Sequence, residues 1–440
     1  MRIYVFLIKN SKTGNQVSDT YGPTLKPFIK MKKTIALLVT LDTKDQEATF
    51  LKEQIEAIGH EALLMDIGVI GKPGIQADIP RDKIIENGGG SITEILKDPT
   101  REKSNPFVVK GCVDILNKKI TSTKVHAVLG LGGTQGTSTC CEIMQALPYG
   151  FPKIMVSTIA SGDTSGFVGI KDITMMFSVS DILKLNPFTR KILANAAAAA
   201  CGMAAVETKF VMERGDKPLI GMSNLGVLTS GSMEAIKHIE SKGYEVIVFH
   251  AVGSGGRAME QMMKEGIIGA VFDYAMGEIA DDVWGVLRAG GPERLTVAGK
   301  LGLPQVLCPG GAEHLGILVP PNEVPEKYKN HQIVFHSPVV FVPRLNEEEI
   351  IKVADDICHR LQHTKDKAYF MIPKGGVGRY SYKGGVLEDK ASDAAFFNRL
   401  KEKMPENIIV LERETYAEDP EFVKEAVDLL IELIEGAGKG

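Results

Sequence analysis

The chain reads as α/β, two consecutive Rossmann-like domains on mainly parallel sheets. Three observations predict this. Short apolar runs alternate with segments of helical period along nearly the whole length, as in parallel sheets with crossover helices. The same alternation restarts after an alanine-rich helix in mid-chain. And 440 residues are too many for one hydrophobic core, so two domains are the natural expectation.

In the first domain "TIALLVTLD" (34–42) reads as a buried strand. A helix follows in "KDQEATFLKEQIEAIG", with Phe50, Leu51, Ile55 and Ile58 on its apolar face and Gly59 to end it. "EALLMDIG" is the second strand. A long glycine-containing region spans 69–104, and "NPFVVKGCVDILNKKI" is the next helix. Then come strand "VHAVLGLG", helix "TQGTSTCCEIMQAL", strand "PKIMVSTIA" and a further strand in "MMFSVSD" (175–181). Pro187 opens the helix containing "ILANAAAAACGMAAV", whose small residues suit tight packing.

In the second domain "PLIGMSN", "YEVIVFHAV", "IIGAVFD", "PQVLCPG", "PVVFVP", "KAYFMIP" and "NIIVLER" read as strands, most of them separated by helices. The boundary is expected near 207–217, in "ETKFVMERGDK". Residues 1–30 are read as an extension outside the fold, 31–210 as the nucleotide-binding domain and 211–440 as the second. The pattern leaves open whether the last helix packs back on the first domain.

Charge is nearly balanced, 51 Lys+Arg against 55 Asp+Glu, so no basic surplus is available to coat a nucleic acid. No stretch is apolar for the roughly 18 residues that a membrane helix needs. Six cysteines without a C-x-x-C read as reduced thiols in a cytoplasmic protein. Cys358, His359 and His363 share a segment, with the histidines at i and i+4. No further ligand stands near them, so the segment reads as an exposed amphipathic helix and no structural metal is expected.

In open parallel sheets ligands sit beyond the carboxyl ends of the strands. The candidates there are Asp42 and Thr43 after the first strand, Gly132, Gly133, Thr134, Gly136 and Thr137 after "VHAVLGLG", and Ser161, Gly162, Asp163 and Thr164 after "PKIMVST". Glycines let the backbone approach a ligand, and a helix start offers donors and partial positive charge. A phosphate is the expected guest. The P-loop is absent, since Gly136 is followed by Thr137 rather than by Lys. No acid ends the next strand, which argues against a dinucleotide there, whereas Asp42 and Asp163 suit a ribose or a Mg2+ among phosphates.

In the second domain "FHAVGSGGRAME" is a strand, a glycine turn and a helix, with Asp273 ending the next strand. That imitates a nicotinamide site, but the spacing is G-x-G-G. His250 at the strand tip is a candidate general base. "LCPGGAEH" puts Cys308, Glu313 and His314 after a strand, a weak suggestion of a nucleophile with its base. "GEIADDVW" reads as solvated or capping acids, and 373–385, with Lys374, Arg379 and Lys383, as a lid or anion clamp.

Taken together, "LLVTLDTK", "VLGLGGTQGT", "MVSTIASGDTS", "LNPFTRKILANAAAAACGM" and "FHAVGSGGRAME" resemble the Tm-1-like ATP-binding family over about 31–436. The resemblance implies two Rossmann-like subdomains, ATP binding and a homodimer. In the plant members this region precedes a TIM-barrel domain that this chain lacks, and a separate TIM-barrel protein is therefore an expected partner. Two functions stay open. A dimeric regulator would hold ATP unchanged. An ATP-dependent enzyme of phosphoryl or acyl transfer would use His250, Asp273 and Glu313.

Overall fold

The computed structural model describes residues 31–206 and 217–437. The expected extension 1–30 and nearly all of the expected boundary segment lie outside the described residues. The first sheet contains β1 (Thr34–Val39), β2 (Glu61–Asp66), β3 (Ala127–Gly132), β4 (Lys153–Ser157) and β5 (Thr174–Phe177). Its order is β2-β1-β3-β4-β5, so the order reverses between β1 and β3. Its helices are α1 (Asp45–Ile58), α2 (Arg81–Asn87), α3 (Ile92–Ile95), α4 (Arg101–Thr121), α5 (Thr134–Gln145), α6 (Ser165–Val168) and α7 (Pro187–Ala204).

The second sheet has β6 (Ile220–Asn224), β7 (Val246–His250), β8 (Ala270–Ala275), β9 (Gln305–Gly310), β13 (Ala368–Pro373) and β14 (Ile408–Arg413). All its recorded pairs are parallel, in the order β14-β13-β9-β8-β6-β7. Between β9 and β13 the chain forms a small antiparallel sheet of β10 (Ile317–Leu318), β11 (Ile333–Ser337) and β12 (Val340–Pro343). The helices are α8 (Thr229–Ser241), α9 (Ser254–Lys264), α10 (Gly277–Trp284), α11 (Val297–Leu301), α12 (Glu347–Leu361), α13 (Lys390–Lys403) and α14 (Pro420–Ala437). The fold is thus α/β with two mainly parallel sheets flanked by helices.

The described residues cluster as two compact units. One runs up to Gly132 and includes Ser180–Ala205. The other holds Gly133–Val179 and the residues from Val206 onward. In the first unit β1 and β3 are buried along nearly their whole length, as strands covered on both faces must be. Helix α1 ends at Gly59, whose φ of 102° needs a residue without Cβ. Helix α7 starts with a capping box, Asn186 and Thr189 each accepting the other's backbone N–H, with Pro187 in its first turn. Its alanines bury Ala196, Ala197 and Ala200 against α1, β1 and β3. Small side chains there let the helix axis come close to the sheet.

The glycine-containing stretch 69–104 is more ordered than the sequence suggests, because α2 and α3 form inside it. Helix α2 lies against α4 at a glycine: a Cβ on Gly111 would come 1.9 Å from the Ile84 carbonyl oxygen.

In the second unit, α14 packs on α8, β8, β9 and β13, burying Phe422, Val423, Ala426, Val427 and Leu430. It therefore covers the second sheet. A second cluster, with Phe341, Ile350, Val353, Ile357, Phe370, Phe396 and Leu400, joins the small antiparallel sheet to α12, α13 and β13. Among the described residues no helix is long and apolar enough to cross a membrane.

The Gly111 contact is testable. Gly111→Ala should cost about 1–3 kcal/mol by forcing α2 away from α4, read from urea denaturation. A neutral substitution would mean that the two helices are loosely apposed.

Candidate functional site

Among the described residues, groups stand beyond the strand ends of both sheets.

In the first sheet, the loop after β1 is largely committed to internal bonds. Asp42 Oδ2 accepts from the Gly71 amide at 2.8 Å, which ties this loop to the one after β2. The Thr43 and Thr40 hydroxyls lie 3.0 Å apart. Gly132 ends β3, buried. Helix α5 begins directly after Gly133, and no side chain caps it. Thr134 and Gln135 are exposed, whereas Gly136 and Thr137 are buried. Thr137 is not the phosphate donor that its position suggests: its hydroxyl lies 2.7 Å from that of Ser157, in the interior. A Cβ on Gly133 would meet only the Thr158 hydroxyl, at 3.7 Å, so the backbone there is open. Ser161, Gly162 and Asp163 are exposed and Thr164 half-buried. Asp163 Oδ1 accepts from the Ser165 amide at 2.9 Å, and Gly162 donates to the Ile159 carbonyl.

In the second sheet the glycine turn after β7 has a different use from the one its spacing imitates. The Gly253 and Gly256 amides donate to Glu278 Oε1 at 2.6 and 3.0 Å. The carboxylate that sits where a phosphate would is the chain's own. Each glycine has a reason: Gly253 has φ 87°, a Cβ on Gly255 would lie 1.9 Å from the His250 carbonyl oxygen, and one on Gly256 would lie 2.0 Å from Glu278 Oε2. Asp273, the imitation of a ribose-binding acid, is likewise occupied. Arg294, wholly buried, reaches Asp273 with Nη1 and Nη2 at 2.5 and 2.7 Å. Its Nε donates to Glu278 at 2.6 Å, and its Nη1 also faces Glu260 at 3.3 Å. Asp273 is therefore a structural charge and not a catalytic one, and the glycine turn gives no support to a nicotinamide site.

Other expectations are refined in the same way. Glu278 and Asp281 are fully buried, and of the solvated and capping roles expected Glu278 takes the capping one, at the start of α9. Asp281 receives Arg288 Nε at 2.9 Å and Nη2 at 2.8 Å. Asp282 pairs with Arg360 at 2.6 Å. Cys308 is buried, and burial pushes its thiol far above the usual range, so it is no nucleophile. In the expected clamp, Arg379 is paired with Glu418 at 3.0 Å and Lys374 with Glu414. His359 and His363 lie in and just after α12, and among the described residues no group of three or more His, Cys, Asp or Glu is placed to hold a metal.

What the sequence missed is a cavity of about 470 Å3 over the carboxyl ends of β6, β7 and β9. Leu225, Val227, Val252, Val340 and Val342 give it apolar walls, and Arg288, His250, His314, His336 and Tyr380 its polar lining. His250, exposed at the tip of β7, is the one predicted catalytic residue that reaches it. His336 Nδ1 stands 3.2 Å from the Tyr380 hydroxyl. Arg288 Nη1 points at His314 Nε2 from 3.3 Å. Arginine only donates, so His314 Nε2 accepts and its Nδ1 carries the hydrogen. Behind Nδ1, at 3.2 Å, lies Glu313 Oε1. Glu313 is completely buried, and neither of its oxygens accepts a well-formed hydrogen bond. Two donors of Arg344, Nε and Nη1, are equally buried without a partner. His336 and the two valines come from the antiparallel insertion, which no periodicity in the sequence ties to the tips of β6 and β7.

Burial alone would raise the Glu313 carboxyl. The neighbouring His314 ring, then the charge of Arg344, outweigh it and hold the group down at about 2. An acid depressed in the fold contributes stability that is complete above its ordinary value and is lost as pH falls through the folded one. The window is thus between 4.5 and about 2. Glu313→Gln should flatten the fall in melting temperature over that range, and an unchanged acid limb would show that Glu313 is not ionised in the fold. Arg294→Leu should cost about 3–5 kcal/mol in urea denaturation, because it strands buried carboxylates. A cost below about 1 kcal/mol would mean that the cluster is dispensable.

Comparison with known proteins agrees with the layout of the sheets. Residues 33–209 match the N-terminal domain, and 217–434 the C-terminal domain, of the "Uncharacterised protein family (UPF0261)". A UPF0261 protein of Clostridium tetani is 38% identical over 406 residues, 92% of this chain and 100% of its own length. One of Mesorhizobium japonicum is 33% identical over 89% of this chain and 97% of its own. The ToMV susceptible protein tm-1(GCR26) of Solanum lycopersicum is 29% identical over 75% of this chain, which is 44% of the tomato protein. With both domain models matched in order, the chain belongs to the Tm-1-like UPF0261 family.

Proposed function

We propose that the chain is an ATP-binding protein whose nucleotide phosphates lie at the start of α5, and that it acts in the cytoplasm as a homodimeric regulatory or partner-binding protein. One observation carries the proposal: α5 leaves β3 through an open glycine, without a side-chain cap, and with Thr134 exposed beside it. A helix start of this kind offers unpaired amide donors and partial positive charge to an anion. With Thr137 turned inward, the contacts fall to the backbone at Gly133 and to the Thr134 hydroxyl. Ser161, Gly162, Asp163 and Thr164 form the polar loop after β4, with Asp163 as a candidate for a Mg2+ among the phosphates. The resemblance to the Tm-1-like family supplies ATP as the nucleotide, and a separate TIM-barrel protein as a partner.

A second reading is an ATP-dependent enzyme of phosphoryl or acyl transfer with its reaction centre in the second domain. The cavity favours it, because His314 stands there with the buried Glu313 carboxylate 3.2 Å behind its ring, the juxtaposition of an imidazole and an acid that acid–base chemistry uses.

Calorimetric titration with ATP, ADP, AMP and NAD, with and without Mg2+, followed by product analysis, separates the two. ATP bound and recovered intact supports the regulator. ATP consumed makes the protein an enzyme, and tight NAD binding in place of ATP sinks both. Gly133→Val should abolish nucleotide binding and leave the melting temperature unchanged, since its φ of −76° suits any residue. Retained affinity would move the site elsewhere.

A further inference from the structure

We propose that the second-domain cavity binds a small carboxylic acid with an apolar body. The volume, about 470 Å3, is that of a small-molecule site. Its walls of Leu225, Val227, Val252, Val340 and Val342 ask for hydrocarbon. Its polar lining among the described residues consists of an arginine, three histidines and a tyrosine, without an acidic side chain. Such a lining repels a cation and receives an anion or a strong acceptor.

The donors converge on one corner. Arg288 gives Nε and Nη2 to Asp281 and keeps Nη1 directed at His314. An acid's carboxylate at that corner takes the Arg288 donor in place of the His314 lone pair. His314 can then take up a proton at Nε2 and donate as well. Glu313, buried and without a well-formed hydrogen bond, faces the other ring nitrogen and balances the charge that this creates. The unpartnered carboxylate thus has a use: it makes a cationic His314 tolerable in the interior. The Tyr380 hydroxyl and His336, 3.2 Å apart, supply further donors on the same lining. The inference rests on the cavity alone and not on whether ATP is bound or consumed, so it fails or stands separately.

The test is calorimetry on the full chain without nucleotide, with octanoate, octanamide and octylamine as probes. Octanoate should bind, octanamide about ten-fold or more weakly, and octylamine not at all, since losing one charge-assisted contact costs at least about 1.4 kcal/mol. Octylamine binding as well as octanoate, or no octanoate binding at millimolar concentration, overturns the proposal. Val340→Trp fills the cavity and should abolish binding. If that variant does not fold, His336→Glu, at an exposed position, adds a negative charge to the lining and should abolish octanoate binding with the melting temperature kept. Undiminished octanoate affinity in His336→Glu overturns the proposal too.

Discussion

The second domain depends on one buried guanidinium. Arg294 is inaccessible to solvent and joins the end of β8, through Asp273 and the Ala275 carbonyl, to α9 through Glu260 and to α10 through Glu278. Each of these carboxylates also holds backbone or a neighbouring hydroxyl. Glu278 receives the turn after β7, Glu260 the amides of Leu295 and Val297, and Asp273 the Ser223 hydroxyl. One cation against three acids is not neutral, and part of the excess is relieved at Glu260. Burial raises that carboxyl to about 7 against the pull of Arg294. The consequence for the site is geometric. The turn after β7 is fixed from behind, and so His250 is held at the tip of its strand.

The same network explains why the glycine turn misleads. A turn that brings backbone amides together at a helix start binds an anion whether that anion is a ligand or a side chain. Here Glu278, 22 residues after Gly256, supplies it. Only the three-dimensional structure shows that the amides are occupied. At the start of α5 the situation differs: the glycine opens to little more than one hydroxyl, and among the described residues no side-chain cap is recorded for the helix.

Much of the fold was legible because parallel strands covered on both faces must be apolar throughout. β1, β3, β8, β9 and β13 are such strands, and each stands out as an unbroken run. Helices α2 and α3 did not stand out, being short and joined by glycines, of which Gly88 and Gly90 pack closely on Phe107 of α4. Of the candidate site residues, His250 and Glu313 lie in or directly behind the cavity, because the segments that follow β7 and β9 border it. Asp273 and Thr137 stand at strand or helix ends too, but their partners Arg294 and Ser157 are 21 and 20 residues away, and pairing at that range leaves no local signal. His336 and the cavity valines come from an antiparallel insertion whose docking on β6 and β7 follows no period.

The distribution of charge around the cavity has a physical logic. At the ends of the second sheet the acids are turned inward. Asp273 and Glu278 go to Arg294, and Asp281 goes to Arg288. What faces the cavity is left with donors. Glu313 breaks this pattern, since the nearest cation, Arg344, attracts it without giving it a well-formed hydrogen bond. A carboxylate left so is costly unless it does something in another state of the protein. The carboxylate binding proposed for the Arg288 corner is that state, with Glu313 on the other side of the His314 ring. The cost of burying Glu313 in the empty site is then offset by tighter binding in the filled one.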